Sequence, residues 1–380
     1  MDFDIQWLLI GLPLAFVLGW LASRADLRQW RGARRDAPRA YFEGLNLLLN
    51  EQQDKAIDAF IEAVQLDPDT TELHFALGNL FRRRGEFERA VRVHQHLLSR
   101  GDLKTADRER AQRALAQDFA KAGLFDRAEA AWQSLRGTPY DNEAQLALLS
   151  LYERSRDWQA AIGVAGALEA AGEASFANRL AHYRCEIALE AEAAGRHDDA
   201  QAALDAAHSA SPQHPRPLWL AGERAARSGD PVAALAAWDR LREVAPGVFP
   251  LLADEYARAA IAAGRQADAL TTLQASEAAE PRIELLPALD ALDAGQAGAR
   301  RLSLLARQPS LGAASRVLEV DTAAWQADTR QHLHDAVQRG AQPLQRYRCA
   351  ACGFDAQQYF WQCPGCQGWD TYPPRRLETL

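Results

Sequence analysis

The sequence predicts an all-α protein: a superhelix of paired helices, preceded by an apolar amino-terminal helix and followed by a small cysteine-bearing domain. Three observations support this fold class. Small residues recur every 34 positions in the middle of the chain, strand patterns are almost absent before residue 345, and two Cys-x-x-Cys pairs lie near the carboxyl end. With 380 residues, 48% of them hydrophobic and 25% charged, the chain is long enough for two or more folded domains.

The amino terminus carries a predicted membrane anchor. The segment Ile5–Ala22 is apolar except for Gln6, and its length is near the lower limit for a helix that spans a bilayer. Asp2 and Asp4 precede it, and six arginines follow it: Arg24, Arg28, Arg31, Arg34, Arg35 and Arg39. This charge asymmetry favours a single transmembrane helix with the bulk of the chain in the cytoplasm over a cleaved signal peptide, the competing interpretation. We therefore assign residues 1–23 to a transmembrane anchor and 24–39 to a basic juxtamembrane segment.

Residues 40–343 form a predicted helical repeat array. One set of residues returns 34 positions later: Gly44, Ala56 and Phe60 as Gly78, Ala90 and His94. This pattern, with small residues where helices cross, resembles the tetratricopeptide repeat, in which each unit is a pair of antiparallel helices. Looser matches mark later units, among them Gly123, Ala128, Trp132, Trp158, Gly195, Ala200, Pro212, Gly222, Gly229, Trp238, Gly264 and Ala269.

Repeat arrays of this kind bind other proteins, because the first helix of each unit lines a concave groove. In the first two units the sequence predicts that this surface carries Leu45, Leu48, Leu49, Phe75, Asn79, Arg82 and Arg83. In the alternative interpretation, the leucines pack inside the array or against the amino-terminal anchor, and the arginines are solvated.

The carboxyl-terminal cysteines have the spacing of a metal site. Cys349, Cys352, Cys363 and Cys366 form two Cys-x-x-Cys pairs, a strong signal for a four-thiolate centre that binds one tetrahedral ion. Zinc is favoured over a single iron. Two disulfides or idle thiols are the competing interpretation, but disulfides are rare in the cytoplasm. The fifth cysteine, Cys185, lies in a helical pattern and is predicted to be a small buried apolar residue.

Residues 344–380 form a predicted metal-binding domain that is rich in aromatic side chains. A domain of this size buries little core, so the ion is expected to supply on the order of 10 kcal/mol of its folding free energy. The stretches Tyr347–Phe354 and Tyr359–Cys366 resemble the two knuckles of rubredoxin. The chain departs from rubredoxin in a shorter inter-knuckle segment and in Gln367, which follows Cys366 where rubredoxin has glycine.

The order of apolar segment, repeats and cysteine module resembles the lipopolysaccharide assembly protein B family of Gram-negative bacteria. The resemblance includes Gln52–Ala56, Asn79–Phe81 and the closing cysteine motif. It implies an inner-membrane anchor and control of lipopolysaccharide output. The implied partners are an FtsH-type membrane AAA+ protease, the lipid A pathway deacetylase as its client, and other inner-membrane envelope-biogenesis proteins. It also implies that the metal module packs on the repeats.

Two other functions are considered from the residues. An iron–thiolate centre would make the chain a rubredoxin-type redox protein on a repeat scaffold. Four arginines among the carboxyl-terminal aromatics, Arg346, Arg348, Arg375 and Arg376, suggest nucleic-acid binding, but the patch is small and the net charge is −8.

The sequence predicts no enzyme, with no catalytic residue and no site for an organic cofactor. It contains neither a phosphate-binding loop, nor a His-Glu-x-x-His pair, nor a nucleophile elbow. The pairs His94/His96 and His332/His334 are spaced i, i+2, which separates them around a helix, and they are predicted to be ordinary helix residues.

Overall fold

The computed structural model describes residues 16–17, 20, 42–50, 52–67, 69–172, 175–308, 310–319 and 327–379. Among these residues, no helix is long and apolar enough to cross a membrane. The predicted anchor, Ile5–Ala22, lies outside the described residues except for Phe16, Val17 and Trp20, and the basic segment 24–39 lies entirely outside them.

The chain divides into two compact units, Met1–Asp157 and Trp158–Leu380. In the first unit, consecutive helices pack against each other as antiparallel neighbours joined by short turns. These helices are α1 (42–49), α2 (Gln53–Leu66), α3 (Thr71–Arg83), α4 (Phe87–Ser99), α5 (Thr105–Lys121), α6 (Phe125–Gln133) and α7 (Asp141–Ser155).

The second unit continues the paired-helix pattern and ends in the cysteine module. Its helices are α8 (Trp158–Ala170), α9 (Ala177–Ala193), α10 (His197–Ala210), α11 (Pro215–Arg227), α12 (Pro231–Val244), α13 (Ala253–Ala262), α14 (Gln266–Ala279), α15 (Leu286–Leu292), α16 (Ala297–Arg307), α17 (Leu311–Leu318) and α18 (Ala327–Ala341). Two short antiparallel strands, β1 (Tyr347–Arg348) and β2 (Asp355–Ala356), pair with Tyr347 opposite Ala356. The predicted helical array followed by a small module is confirmed within the described residues.

Three of the glycines identified in the repeat pattern lie against an aromatic or imidazole ring of the next helix. In the second unit, a Cβ atom added to Gly222 in α11 would lie 2.1 Å from Nε1 of Trp238 in α12. In the first unit, a Cβ on Gly78 would lie 2.5 Å from the His94 ring, and one on Gly44 would lie 2.9 Å from the Phe60 ring. In each case the ring is 16 residues after the glycine. The absence of a side chain therefore lets the two helices of a pair approach closely enough to bury the ring.

In the first unit, one of these rings, that of His94, is also part of a buried polar network. The His94 side chain is fully buried, and its Nδ1 lies 2.5 Å from Oδ2 of Asp118, which is also fully buried. Arg82 donates to the other carboxylate oxygen at 2.9 Å and to the side-chain oxygen of Asn79 at 2.5 Å. Because these are interactions between α3, α4 and α5, His94 is part of the packing of the array, as the sequence predicts.

The predicted groove surface is partly wrong. Phe75 is only 2% exposed and packs with Leu97, Leu103 and Ala111, so it belongs to the core. Arg82 is held by Asp118, as described above. Leu45 and Leu48 pack against the cluster around Phe60, whereas Leu49 is 81% exposed. The alternative interpretation is therefore correct for Leu45 and Leu48, but it fails at Leu49, which is exposed, and at Arg82, which is bound to Asp118.

The contact between Gly222 and Trp238 can be tested by substitution. Gly222→Ala is expected to lower the free energy of unfolding by about 1–3 kcal/mol, because the methyl group must displace the buried indole. Urea unfolding of the detergent-solubilised full chain, followed by tryptophan fluorescence, measures this change.

Gly166→Ala is the matched control, since Gly166 also lies in a helix of the second unit and an added Cβ meets no atom within 4 Å. It should be neutral or stabilising by up to about 1 kcal/mol, because alanine favours helix over glycine. Equal effects of the two substitutions would contradict the packing argument.

Candidate metal centre

The first cysteine pair lies in a tight turn between β1 and β2. The Gly353 N–H donates to the Cys349 carbonyl oxygen at 2.9 Å, and the Cys349 N–H donates to the Phe354 carbonyl oxygen at 3.0 Å. Gly353 has a φ of +77°, a left-handed conformation that glycine adopts without a Cβ clash. This turn, the first knuckle (residues 349–353), directs the sulfurs of Cys349 and Cys352 to one side.

The second cysteine pair repeats this geometry without the glycine. In the second knuckle (residues 363–367), the Gln367 N–H donates to the Cys363 carbonyl oxygen at 2.8 Å, the same bond that Gly353 makes in the first. Gln367 has a φ of +60°. A non-glycine residue in this conformation costs about 1–2 kcal/mol. The departure from the rubredoxin pattern therefore leaves the shape of the turn unchanged, and its cost is local backbone strain.

The four sulfur atoms converge. Cys349 Sγ lies 3.8 Å from Cys366 Sγ, Cys352 Sγ lies 3.7 Å from Cys363 Sγ, and all four lie within 4.8 Å of one another. A tetrahedral zinc–thiolate site with bonds of about 2.3 Å has sulfurs about 3.8 Å apart. All four cysteines are free thiols, and Cys185, the fifth, is fully buried as predicted. The spacing fits a single tetrahedral ion.

The pKa values of the cysteine thiols are also consistent with a site that binds a cation. Burial raises the pKa of Cys349, but hydrogen bonds with the Thr371 hydroxyl and with backbone N–H groups outweigh it and lower the pKa. Backbone N–H groups likewise lower the pKa of Cys363 against the effect of burial. At Cys352 a backbone hydrogen bond lowers the pKa, but burial and the neighbouring sulfurs raise it more. Four thiolates cannot all be negative at this distance unless a positive ion neutralises them, so the donor set fits zinc or iron.

The module packs on the helices of the second unit through two tryptophans. The Trp369 ring stacks on the His182 ring of α9, with centroids 4.3 Å apart and planes inclined at 25°. Trp361 meets the Trp219 ring of α11 edge-on at 6.0 Å. His182 and His214 are in turn perpendicular to each other at 4.4 Å. The rings of Trp361 and Trp369 in the module therefore pack directly on rings that belong to, or immediately precede, α9 and α11.

Asp370 is the polar centre of this contact. His182 Nε2 lies 2.9 and 3.0 Å from the two Asp370 carboxylate oxygens, and His214 Nε2 lies 3.5 Å from one of them. On its other side, His182 Nδ1 accepts a hydrogen bond from Arg216 at 3.2 Å, and Arg216 also donates to Glu186 at 2.6 Å. His214 Nδ1 accepts from the Arg216 backbone N–H at 3.3 Å. We call His182, His214, Arg216 and Asp370 the docking cluster.

The docking cluster is not arranged as a second metal site, although two histidines and an aspartate lie within 4.8 Å. A guanidinium can only donate, so His182 Nδ1 must be the acceptor and its Nε2 must carry the proton. The same reasoning assigns the Nε2 proton of His214. Neither Nε2 then has a lone pair for an ion, and both N–H groups point towards the Asp370 carboxylate.

A second set of contacts holds the carboxyl-terminal end of the module. Arg282, which is 5% exposed, donates to the carbonyl oxygens of Gly247, at 3.0 Å, and Pro374. Arg376 lies 3.1 Å from Glu284, and the Glu378 carboxylate accepts from the Gly312 N–H at 2.6 Å. The module is therefore attached to the helices at two separate places along its sequence.

Comparison with known proteins gives the same architecture. Residues 347–374 match the model of the rubredoxin metal-binding domain. Tetratricopeptide-repeat models match residues 41–94, 73–117 and 185–248. A solved repeat protein, the TPR2AB domain of yeast Sti1 in complex with an Hsp90 peptide, is 17% identical with a TM-score of 0.35, and covers 74% of this chain and 99% of that one. Such a distant similarity supports no statement about function.

Two curated relatives match along nearly the whole chain. Lipopolysaccharide assembly protein B of Escherichia coli strain K12 is 30% identical over 383 residues, which cover 98% of each chain. The protein of the same name from Haemophilus influenzae strain Rd is 28% identical, covering 97% of this chain and 98% of the relative. The chain belongs to the lipopolysaccharide assembly protein B family. The family resemblance seen in the sequence is thereby confirmed.

In this member of the lipopolysaccharide assembly protein B family, the four predicted cysteines come together, and their assignment as ligands remains a prediction. The docking cluster was not predicted. Its histidines lie 32 residues apart and Asp370 follows His182 by 188 residues, so no local motif connects them. The short Trp369–Asp370 sequence next to the second knuckle is the one signal that could have indicated a polar contact there.

The strain at Gln367 predicts that glycine would improve the module in this lipopolysaccharide assembly protein B family member. Gln367→Gly is expected to slow metal loss to a chelator and to stabilise the module by about 1 kcal/mol, because glycine adopts a φ near +60° without a Cβ clash. The loss of metal to a colorimetric chelator under mild denaturant measures the effect.

Gln357→Gly is the control, since Gln357 is an exposed residue of the same module without a left-handed backbone. This change should give no gain. Faster metal loss from Gln367→Gly than from the wild type would show that the Gln367 side chain, rather than its backbone strain, governs this turn.

The docking cluster predicts a dependence of stability on pH. Burial lowers the pKa of His182 to about 4, in spite of the hydrogen bond to Asp370 that raises it. The unfolded chain takes up this proton near pH 6.5, so its contribution to stability is complete above pH 6.5 and decreases as the pH falls towards 4. The loss should reach on the order of 3 kcal/mol at pH 4.

His182→Gln keeps an N–H donor for Asp370 but cannot take up this proton, so the difference in unfolding free energy between variant and wild type should shrink between pH 6.5 and 4. His197→Gln is the control, because the His197 side chain is 65% exposed. Urea unfolding of the solubilised full chain at several pH values tests this. An unchanged difference across that range would contradict the assignment.

Proposed function

We propose that this chain is an inner-membrane-anchored cytoplasmic adaptor that regulates lipopolysaccharide synthesis. In this proposal it promotes proteolysis of the committed-step lipid A deacetylase by an FtsH-type membrane AAA+ protease. The observation that carries the proposal is the match to two lipopolysaccharide assembly proteins over 97–98% of the chain. The finer steps follow from the family resemblance and from the segment order in the sequence.

The adaptor has three parts in this proposal. Residues 1–23 span the inner membrane and meet the protease there. The repeats present the client and contact other envelope-biogenesis proteins, as helical repeats bind proteins in general. The module of residues 344–380 holds one ion on Cys349, Cys352, Cys363 and Cys366, and the docking cluster fixes it on the helices. The four thiolates and the ion have a structural role, so the chain itself catalyses no reaction.

One structural observation supports a firm, non-sliding attachment of the module. The docking cluster holds the module through Asp370, whereas Arg282 and Gly312 hold it through Pro374 and Glu378, so different residues of the helical part make the two sets of contacts. A module held in this way adds a fixed surface to the repeats. We infer that partners recognise a combined surface of repeats and module, and that loss of the ion removes part of it.

Deletion of residues 1–23 tests the anchored-adaptor function. In E. coli that lacks its own lipopolysaccharide assembly protein B, the full chain should restore rapid turnover of the deacetylase. The deleted form should lengthen the half-life of the deacetylase several-fold even though it remains folded, because the client and the protease are no longer held at the same membrane site. A pulse-chase immunoblot measures the half-life, and circular dichroism checks the fold.

A matched control replaces residues 1–23 with an unrelated transmembrane helix of the same orientation. If this replacement restores turnover, the anchor acts only as a tether; if it fails, the anchor itself contacts the protease. The proposal is wrong if the deleted form and the full chain give the same deacetylase half-life.

The competing function is one-electron transfer by an iron–thiolate centre, and the solvent exposure of Cys352 and Cys366 is the observation that favours it. Metal analysis of the natively expressed protein, combined with its visible absorption spectrum, separates the two functions. Iron in four thiolates is coloured, and zinc, with its filled d shell, is not.

A further inference from the structure

The four cysteines differ in their access to solvent. Cys352 and Cys366 are exposed, whereas Cys349 and Cys363 are buried. Each knuckle therefore contributes one exposed and one buried cysteine. Cys352 and Cys366 are exposed while the module is docked on the helices, because other residues make the docking contacts, among them Trp361, Trp369 and Asp370.

Each exposed sulfur has a buried partner on the other knuckle. Cys352 Sγ lies 3.7 Å from Cys363 Sγ, and Cys366 Sγ lies 3.8 Å from Cys349 Sγ. A sulfur that is oxidised at the surface thus has a second sulfur at van der Waals distance. This is the arrangement of an attacking and a resolving cysteine.

We propose that the centre is a site of reversible oxidation by hydrogen peroxide. The exposed thiolate of Cys352 attacks one peroxide oxygen, which breaks the O–O bond, forms a sulfenic acid and releases hydroxide. The Cys363 thiolate then attacks the sulfenic sulfur and releases a second hydroxide, which leaves a Cys352–Cys363 disulfide. Two thiolates are oxidised by two electrons and one peroxide is reduced. Cys366 and Cys349 react in the same way with a second peroxide.

The oxidation removes the ligands that an ion needs. A disulfide sulfur is a poor metal ligand because the thiolate charge is lost, so one disulfide leaves two thiolates and the second leaves none. The two sulfurs must also approach from 3.7 Å to about 2 Å, which pulls one knuckle towards the other. Ion release and a change of module shape therefore follow from the same step.

The change of shape reaches the docking cluster through a short backbone path. The Ala350 N–H donates to the Thr371 carbonyl oxygen at 2.8 Å, and the Asp370 N–H donates to the Trp361 carbonyl oxygen at 2.8 Å. The Thr371 hydroxyl lies 3.2 Å from Cys349 Sγ. The backbone around Asp370 is thus tied to the first knuckle through Ala350 and to the segment just before the second knuckle through Trp361, so that movement of the knuckles withdraws the Asp370 carboxylate from His182. Peroxide therefore breaks the contact of Asp370 with the repeats.

This inference rests on the four-thiolate centre and does not depend on the adaptor function. The detergent-solubilised full chain, purified with its ion, is treated with hydrogen peroxide. Released metal is measured with a colorimetric chelator, disulfides are mapped by mass spectrometry of peptides, and docking is followed by the fluorescence of the tryptophans. We expect one ion released per chain, cross-knuckle disulfides Cys352–Cys363 and Cys349–Cys366, and a fluorescence change that a dithiol with added zinc reverses.

Two control variants separate the steps. Cys185→Ala removes the buried cysteine outside the site and should leave metal release unchanged. Asp370→Asn weakens docking without removing a ligand, so it should alter the fluorescence before peroxide is added while the ion stays bound.

Three results would overturn the inference. The first is an ion retained at peroxide concentrations that oxidise free glutathione, and the second is disulfides within a knuckle, Cys349–Cys352 or Cys363–Cys366. The third is metal release without a change in the fluorescence of the tryptophans. A chain that carries no metal when natively purified would instead disprove the four-thiolate centre itself.

Discussion

The Asp370 carboxylate is the group through which the second knuckle and its loop are held against α9 and the start of α11. It accepts N–H groups from two imidazoles of the repeat helices, and Arg216 sets the tautomer of His182 that makes this possible. Glu186 in turn holds Arg216. Glu186 thus positions Arg216, Arg216 orients His182, and His182 binds Asp370. A small module without a sizeable core gains a fixed position on the helices by this route.

The ion site and the docking surface share one loop. Residues between Cys366 and Tyr372 complete the second knuckle at one end and carry Trp369 and Asp370 at the other. An ion held by the four cysteines would therefore stabilise both the second knuckle and the surface of the module that meets α9 and α11.

The sequence predicts those parts of the structure that have a local motif or a regular repeat in it. The cysteine pairs are read from spacing, and the glycine–ring crossings are read from the 34-residue period because Gly222 and Trp238 stand at fixed offsets. The docking cluster could not be predicted, since His182, His214 and Asp370 look like ordinary polar residues until the chain is folded.

Phe75 was misplaced for a related reason: helical periodicity shows that a residue lies on a face, but only the neighbouring α5 decides that this face is covered. The membrane anchor was predicted from hydropathy and charge alone.

The left-handed backbone of Asp370, with a φ of +55°, and that of Gln367 lie within four residues. Aspartate tolerates this conformation poorly compared with glycine, so the loop is held in shape by its surroundings and not by its own preference. Such a loop cannot be transplanted alone. A functional exchange of modules between two relatives would have to include α9 and α11. The two histidines of the helices and the aspartate of the module should therefore have changed together in evolution.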